Sequence, residues 1–443
     1  NFYWIGKEPG KWSDDALWFI QAVYRYICLT GDVKFLDEEC KMADGESKTR
    51  KVFDTIKAVI AYSSEISIGK HGLPLLDFAD WNDCLKLDLD YIDGVEKEKL
   101  YYKQQSENGN KSGPLESDWS ESVMNAFLLK LAVDNAKIMA DIIEDRQYSE
   151  KLNNLSKNLI VNLYKHAWKE DFYARVLFNR YHDIGIEYLG AKGDGFSPDA
   201  DKNSGTYFLN SFSWAILSDT ASEKQIEIML DTVEKNLKTP YGLKLITPMD
   251  LSKITKEAAT GHYFPGDREN GAVFKHASMM AAAAMFKAAK KVNSEELASR
   301  LSKVAYWTID TVLPYKTMES PFVSCGNPRF CTQYNNSETG ESIGPMLSGT
   351  ATWLNLALMS AFGIEYQVNG MVLDPILRDD EECLAYKIRT FSSKYDIRIK
   401  KPKGFSRILD GASVLKVDGK EMQGNLIPAF DDNIVHSVEL TFL

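Results

Sequence analysis

No run of lysine and arginine interrupts this chain, and none of its six cysteines falls in a C-x-x-C pair. With 52 basic against 63 acidic side chains and a formal net charge of -11, nucleic acid and anionic membranes are poor partners. Scattered cysteines (Cys28, Cys40, Cys84, Cys325, Cys331 and Cys383) predict reduced thiols in a cytoplasmic protein, not a disulfide framework. No stretch approaches the ~18 apolar residues of a membrane span. The most apolar one, MMAAAAMF from Met279, predicts a buried helix. His166, His182 and His262 lack the spacing of zinc ligands, and LDLDYIDG from Leu87 is out of register with a calcium loop. No metal or organic cofactor is expected. No signal-peptide pattern opens the chain. It begins with Asn1, so the start of the gene product is expected upstream.

What is present is length, aromatic rings and helical periodicity. The 443 residues, 44% hydrophobic, predict one large domain and a smaller one. Nine Trp, 21 Tyr and 21 Phe suit the flat faces of sugar rings, and equally the filling of a large core. Nine segments carry apolar residues at helical spacing: 13–32, 52–66, 121–143, 149–168, 208–219, 222–237, 273–292, 294–313 and 348–363. Ser13 reads as the N-cap of the first. Short polar joints alternate with long ones at 71–118, 167–206, 238–272 and 314–348. A ring of paired helices with its function in the long loops has that texture. From Tyr366 the pattern turns to strict alternation (CLAYKIRTF, YDIRIKK, SVLKVDG, HSVELTFL), which predicts a small antiparallel β unit. The boundary is placed at 365.

Within the first long joint, HGLPLLDFADWNDCLKLD (71–88) gathers Asp77, Asp80, Asp83 and Trp81. Acids before a helix start are ordinarily caps, but a carboxyl against an apolar wall is held protonated and can act as an acid.

Five motifs in order, SDDALWF, ADWNDCL, ESVMNAF, PGDRENGAVFKHA and SGTATW, resemble glycoside hydrolase family 94, the cellobiose-phosphorylase-like enzymes. The resemblance implies a mainly α fold: an (α/α)6 barrel over 1–365, lacking its first helices, then a small C-terminal β-sandwich unit over 366–443. It implies inverting phosphorolysis of β-linked glucosides by inorganic phosphate, yielding an α-sugar 1-phosphate. It places the general acid at Asp83, sugar contacts at Trp81, Asp80, Glu269 and Arg268, and phosphate contacts at His276, Gln333, Ser348 and Thr350. In place of the family's T-G-T, Ser348 keeps the hydroxyl. The family's N-terminal sandwich, first barrel helices and a sugar-gripping Arg/Asp pair lie upstream of Asn1. The remainder is therefore expected on another chain or in a segment outside this sequence, and a homodimer is compatible.

Breaking a β-glucoside requires a proton on the leaving oxygen. A hydrolase adds a second carboxylate as base for water, ~6.5–9.5 Å away. A phosphorylase needs none, because phosphate is already an anion and a facing carboxylate would repel it. Three readings stay open: a phosphorylase acting on β-1,3 or β-1,2 gluco-oligosaccharides, the linkage read from the long 84–118 loop; an inverting hydrolase using Glu269 as base; and a non-catalytic carbohydrate-binding half of a split enzyme.

Overall fold

A computed structural model of the chain describes residues 12–42, 48–88, 118–198, 204–255, 264–314, 331–343 and 349–443. It divides into two compact units. One comprises Asn1–Gln21, Lys34–Phe274 and Tyr334–Gly344; the other comprises Ala22–Val33, Lys275–Gln333 and Pro345–Leu443. All nine periodic segments contain helices: α1 (Asp15–Thr30), α2 (Val52–Ala61), α3 (Val123–Ile142), α4 (Arg146–Asn162), α5 (Leu209–Leu217), α6 (Glu223–Asn236), α7 (Lys275–Lys291), α8 (Glu295–Asp310) and α9 (Thr350–Ala361).

In the first unit a helix buried on all sides alternates with one buried on a single stripe. Every residue of α3 from Val123 to Lys130 is buried, whereas α4, packed against it, buries Ser149, Leu152 and Leu159 alone. Likewise α5 is buried from Leu209 to Ile216, and α6 contributes the stripe Gln225, Ile226, Met229, Leu230 and Val233. An all-apolar helix must lie inside, and an amphipathic one covers it. Side-chain caps set several starts: Ser122 accepts from Asn125 N–H, and Ser222 with Gln225 forms a capping box. Ser13, expected as the cap of α1, does something else. Its hydroxyl donates to the carbonyls of Leu76 and Ala79, and Asp14 supplies the carbonyl that opens the helix. The same oxygen accepts from Asn125 Nδ2 at 2.8 Å, so its acceptor side is turned to another helix and not to the first amides of α1.

Short ladders lead into the buried helices. β1 (Glu121–Ser122) precedes α3 and pairs with β2 (Val176–Leu177), which pairs with β3 (Tyr188–Leu189). β4 (Val273–Phe274) pairs with β5 (Tyr334–Asn335), and β5 with β6 (Ser342–Ile343).

In the second unit α7 is buried from Ala277 to Phe286 and packs against both α8 and α9. Two sheets follow. The first orders β7 (Ile364–Gln367), β8 (Gly370–Leu373) and β13 (Leu426–Pro428); the second orders β9 (Cys383–Thr390), β10 (Ser393–Lys400), β14 (Val435–Phe442), β11 (Ser413–Val417) and β12 (Lys420–Glu421). Met371, Leu373 and Ile427 of one sheet join Ile397, Ile399, Val438 and Leu440 of the other in a single core cluster. The expected all-antiparallel pairing fails at one place, since β10 and β14 run parallel. A parallel pair needs a long crossover, and here the chain between them carries β11, β12 and β13, so β14 returns to the middle of the sheet. The buried Arg407 ties this region to α7 by donating to the carbonyls of Ala289, Val292 and Asn293 at that helix's C-terminal end. Among the described residues no helix is long and apolar enough to cross a membrane.

Candidate active site

The 79–85 segment is held from beneath by a buried ion pair. Asp80 is inaccessible to solvent; its Oδ2 accepts from Arg175 Nη1 at 2.6 Å and Ser122 Oγ at 2.6 Å, and its Oδ1 from Arg175 Nη2 at 2.5 Å and Asn82 N–H at 3.1 Å. Arg175 also donates to Asn82 Oδ1 at 2.8 Å. Asp80, expected to touch the sugar, is thus fully engaged by protein groups. Arg175 sits just before β2, where Gly190 lets the neighbouring strand approach: a Cβ at 190 would lie 2.6 Å from the Arg175 nitrogen. Its one sequence signal is a guanidinium inside the apolar run YARVLF.

Above this base, Asp83 opens a short 3-10 turn, Asp83–Leu85, and is exposed. Its Oδ1 accepts from Trp12 Nε1 at 2.9 Å. Trp12 supplies the indole at this carboxylate, a contact the sequence did not reveal; Trp81, expected as the apolar wall, packs edge to face on Phe274 at 5.7 Å. Glu269 completes the turn from a distant loop. Its Oε1 accepts from Asp83 N–H at 3.2 Å and its Oε2 from Cys84 N–H at 2.7 Å. A carboxylate at the first amides of a turn satisfies donors that have no partner within it. Burial pushes the Glu269 carboxyl up to about 7; the Asp83 charge adds to this, while the Cys84 thiol and the two amides oppose it. The Cys84 thiol is itself raised, by burial first and by Glu269 second, and is no thiolate nucleophile. Arg268 is exposed, with φ 46 in the tight 267–270 turn. A second buried carboxyl escaped the sequence reading: Asp14 accepts from Trp18 Nε1 at 2.7 Å and is pushed up to about 7 by burial.

The expected phosphate contacts that are described belong to the second unit. His276 lies in the first turn of α7, half-buried, and burial lowers its imidazole to about 4, so the neutral ring is present at neutral pH. Gly349 packs against it closely enough that a Cβ there would fall 2.2 Å from His276 Cε1. Thr350 is the first residue of α9 and fully buried, and its Oγ1 has no hydrogen-bond partner among the described residues. The N-cap of α9 is Gly349, with no side-chain cap. Gln333 is half-buried and its carbonyl accepts from Lys275 N–H at 3.1 Å. Ser348 lies outside the described residues, as do residues 89–117 of the acceptor loop. A neutral imidazole, a buried hydroxyl and a helix N-terminus are anion-binding groups that carry no full charge. Among the described residues no cluster of His, Cys, Asp and Glu has the form of a metal site.

The family profile described as glycosyl hydrolase 94 superfamily, catalytic domain, matches residues 5–362. The chain belongs to that superfamily. Solabiose phosphorylase of Paenibacillus borealis is 26% identical over 99% of this chain and 50% of its own length. N,N'-diacetylchitobiose phosphorylase of Vibrio proteolyticus is 24% identical over 94% of this chain and 45% of its own. The 3-O-beta-D-glucopyranosyl-beta-D-glucuronide phosphorylase of Paenibacillus borealis is 25% identical over 94% and 48%. The chain spans about half the length of these curated relatives. A solved structure titled sialidase shares the fold at TM-score 0.53 and 13% identity, covering 84% of this chain and 29% of that one.

Proposed function

We propose that the protein is an inverting glycoside phosphorylase. It cleaves a β-linked gluco-oligosaccharide, β-1,3 or β-1,2 bonded, with inorganic phosphate and releases α-glucose 1-phosphate. The relatives are named as phosphorylases, and the state of Glu269 carries the choice between phosphorolysis and hydrolysis. A hydrolase of this geometry needs a second ionised carboxylate free to take a proton from water. Glu269 was the candidate, but both its oxygens accept from the amides of Asp83 and Cys84, and burial holds it near 7. A carboxyl bound to the acid's own turn is a poor base for a nucleophile on the opposite face.

In this reading Asp83 protonates the glycosidic oxygen as the C–O bond breaks, and a phosphate oxygen bonds to the anomeric carbon from the far side. Phosphate is held by His276, Gln333, Ser348 and Thr350, a role supported by the unpartnered Thr350 hydroxyl at the α9 N-terminus. Trp81, Arg268 and Glu269 serve the sugar, and Asp80 serves it through the turn. The alternation of buried and amphipathic helices supports an (α/α)6 arrangement over 1–365 whose first helices come from an upstream part of the enzyme, with a β sandwich over 366–443. In this reading the enzyme works in the cytoplasm without a cofactor, and a homodimer is compatible with it.

Incubating the protein with laminari-, sophoro- and cello-oligosaccharides, with and without phosphate, tests this. Glucose 1-phosphate should form, and only with phosphate. Equal turnover without it would favour the hydrolase; activity appearing only on addition of the upstream part would identify this chain as one half of a split enzyme.

A further inference from the structure

One cation near Asp83 has no part in the chemistry above. Lys86 ends the Asp83–Leu85 turn, and its Nζ lies 5.9 Å from the Trp12 ring centroid and 5.3 Å from that of Phe78. The two rings meet edge to face at 5.5 Å. Trp12 is also the donor to Asp83 Oδ1, so a single indole touches both the proton donor and the ammonium. Trp12, Phe78 and Lys86 are all half-exposed, and among the described residues no carboxylate pairs with Lys86.

We propose that Trp12, Phe78 and Lys86 form the platform for the departing unit, and that the preferred gluco-oligosaccharide ends in a departing unit that carries a carboxylate, as a uronate or an aldonate does. The inference rests on Asp83 being the proton donor. The oxygen it protonates belongs to the departing sugar, so that sugar lies against whatever flanks Asp83. Half-exposed rings offer apolar faces to the C–H face of a pyranose or to the carbon chain of an open acid. An ammonium held over those rings, with no acidic protein partner, is a donor that an anionic ligand can take up in a charge-assisted hydrogen bond. As a compact point charge on a flexible stem it can serve either carboxylate oxygen. Lys86 is three residues past the acid in a turn with three residues per turn, which brings its stem to the same side of the chain.

The test compares acceptors in the synthetic direction. Phosphate release from α-glucose 1-phosphate is followed with glucuronate, gluconate and glucose, for the wild-type protein, Lys86→Met and Lys86→Arg. The acidic acceptors should have KM values at least about tenfold below that of glucose, and Lys86→Met should erase that ratio while Lys86→Arg keeps most of it. A wild-type preference for glucose, or a ratio unchanged in Lys86→Met, overturns the inference. If no acceptor releases phosphate, the phosphorylase reading falls, and calorimetric titration of glucuronate decides this one separately. Binding weakened about tenfold by Lys86→Met supports it, and equal binding or none to the wild type refutes it.

Discussion

The turn at 80–85 and the cluster at 276 and 349–350 solve opposite problems. Around the turn nearly every polar atom already has a protein partner: Asp80 is closed by Arg175, Ser122 and Asn82, and the first amides of the turn by Glu269. At the cluster the Thr350 hydroxyl is buried without one among the described residues, and the imidazole is kept neutral by burial. On the proposed reading the turn aims a proton donor, and its support is buried and charged. On the proposed reading the cluster receives an anion, and it offers a neutral imidazole and the Thr350 hydroxyl. The same cost of burying polar atoms is offset internally in one region and left for a ligand in the other.

That contrast breaks first at Arg175. Arg175→Met strands a fully buried carboxylate and should destabilise the protein by about 3–5 kcal/mol in urea unfolding, with much of the loss recovered in the Asp80→Asn/Arg175→Met double variant. If the single variant is as stable as the wild type, the turn is not held as described. Thr350→Val carries the opposite expectation. Removing a hydroxyl that has no partner among the described residues should leave the urea midpoint within the ±0.5 kcal/mol of a neutral change, yet raise the KM for phosphate about tenfold. A loss of stability with phosphate binding intact would reverse the assignment.

The smallest effect is the pH dependence of stability, where the two regions differ in sign. Glu269 has its folded value raised to about 7 from 4.5, so its contribution is complete below about 4.5 and is lost as pH rises toward 7. His276 has its folded value lowered to about 4 from 6.5, so its contribution is complete above about 6.5 and is lost as pH falls toward 4. Glu269→Gln should therefore flatten the decline in urea midpoint between pH 5 and 7. An identical profile in wild type and variant would show that the carboxyl is not desolvated against the Asp83–Leu85 turn.

Much of this was legible in the chain. The described helices could be read because apolar residues recur in them at a 3.6-residue period, and the tail because alternate residues of β10 and β14 point into one core. Asp83 and Glu269 stood out through the resemblance of ADWNDCL and PGDRENGAVFKHA to family motifs, and the structure brings the two together at Asp83 N–H. What stayed hidden depends on partners far along the chain. Arg175 meets Asp80 from 95 residues away, and Trp12 meets Asp83 from 71, separations over which no periodicity operates. Ser13 carried a cap signature, but the Asn125 amide, 112 residues away, donates to its hydroxyl. The parallel pairing of β14 depends on where the chain returns, which alternation does not encode.

The central claim is that a single carboxyl, aimed by its turn, releases the sugar while phosphate attacks. Phosphorus-31 NMR of the sugar phosphate formed by wild type and Asp83→Asn tests it directly. The account predicts the α anomer from the wild type and a rate about 10²–10⁴-fold lower from the variant. An undiminished rate, or a β anomer, would contradict it.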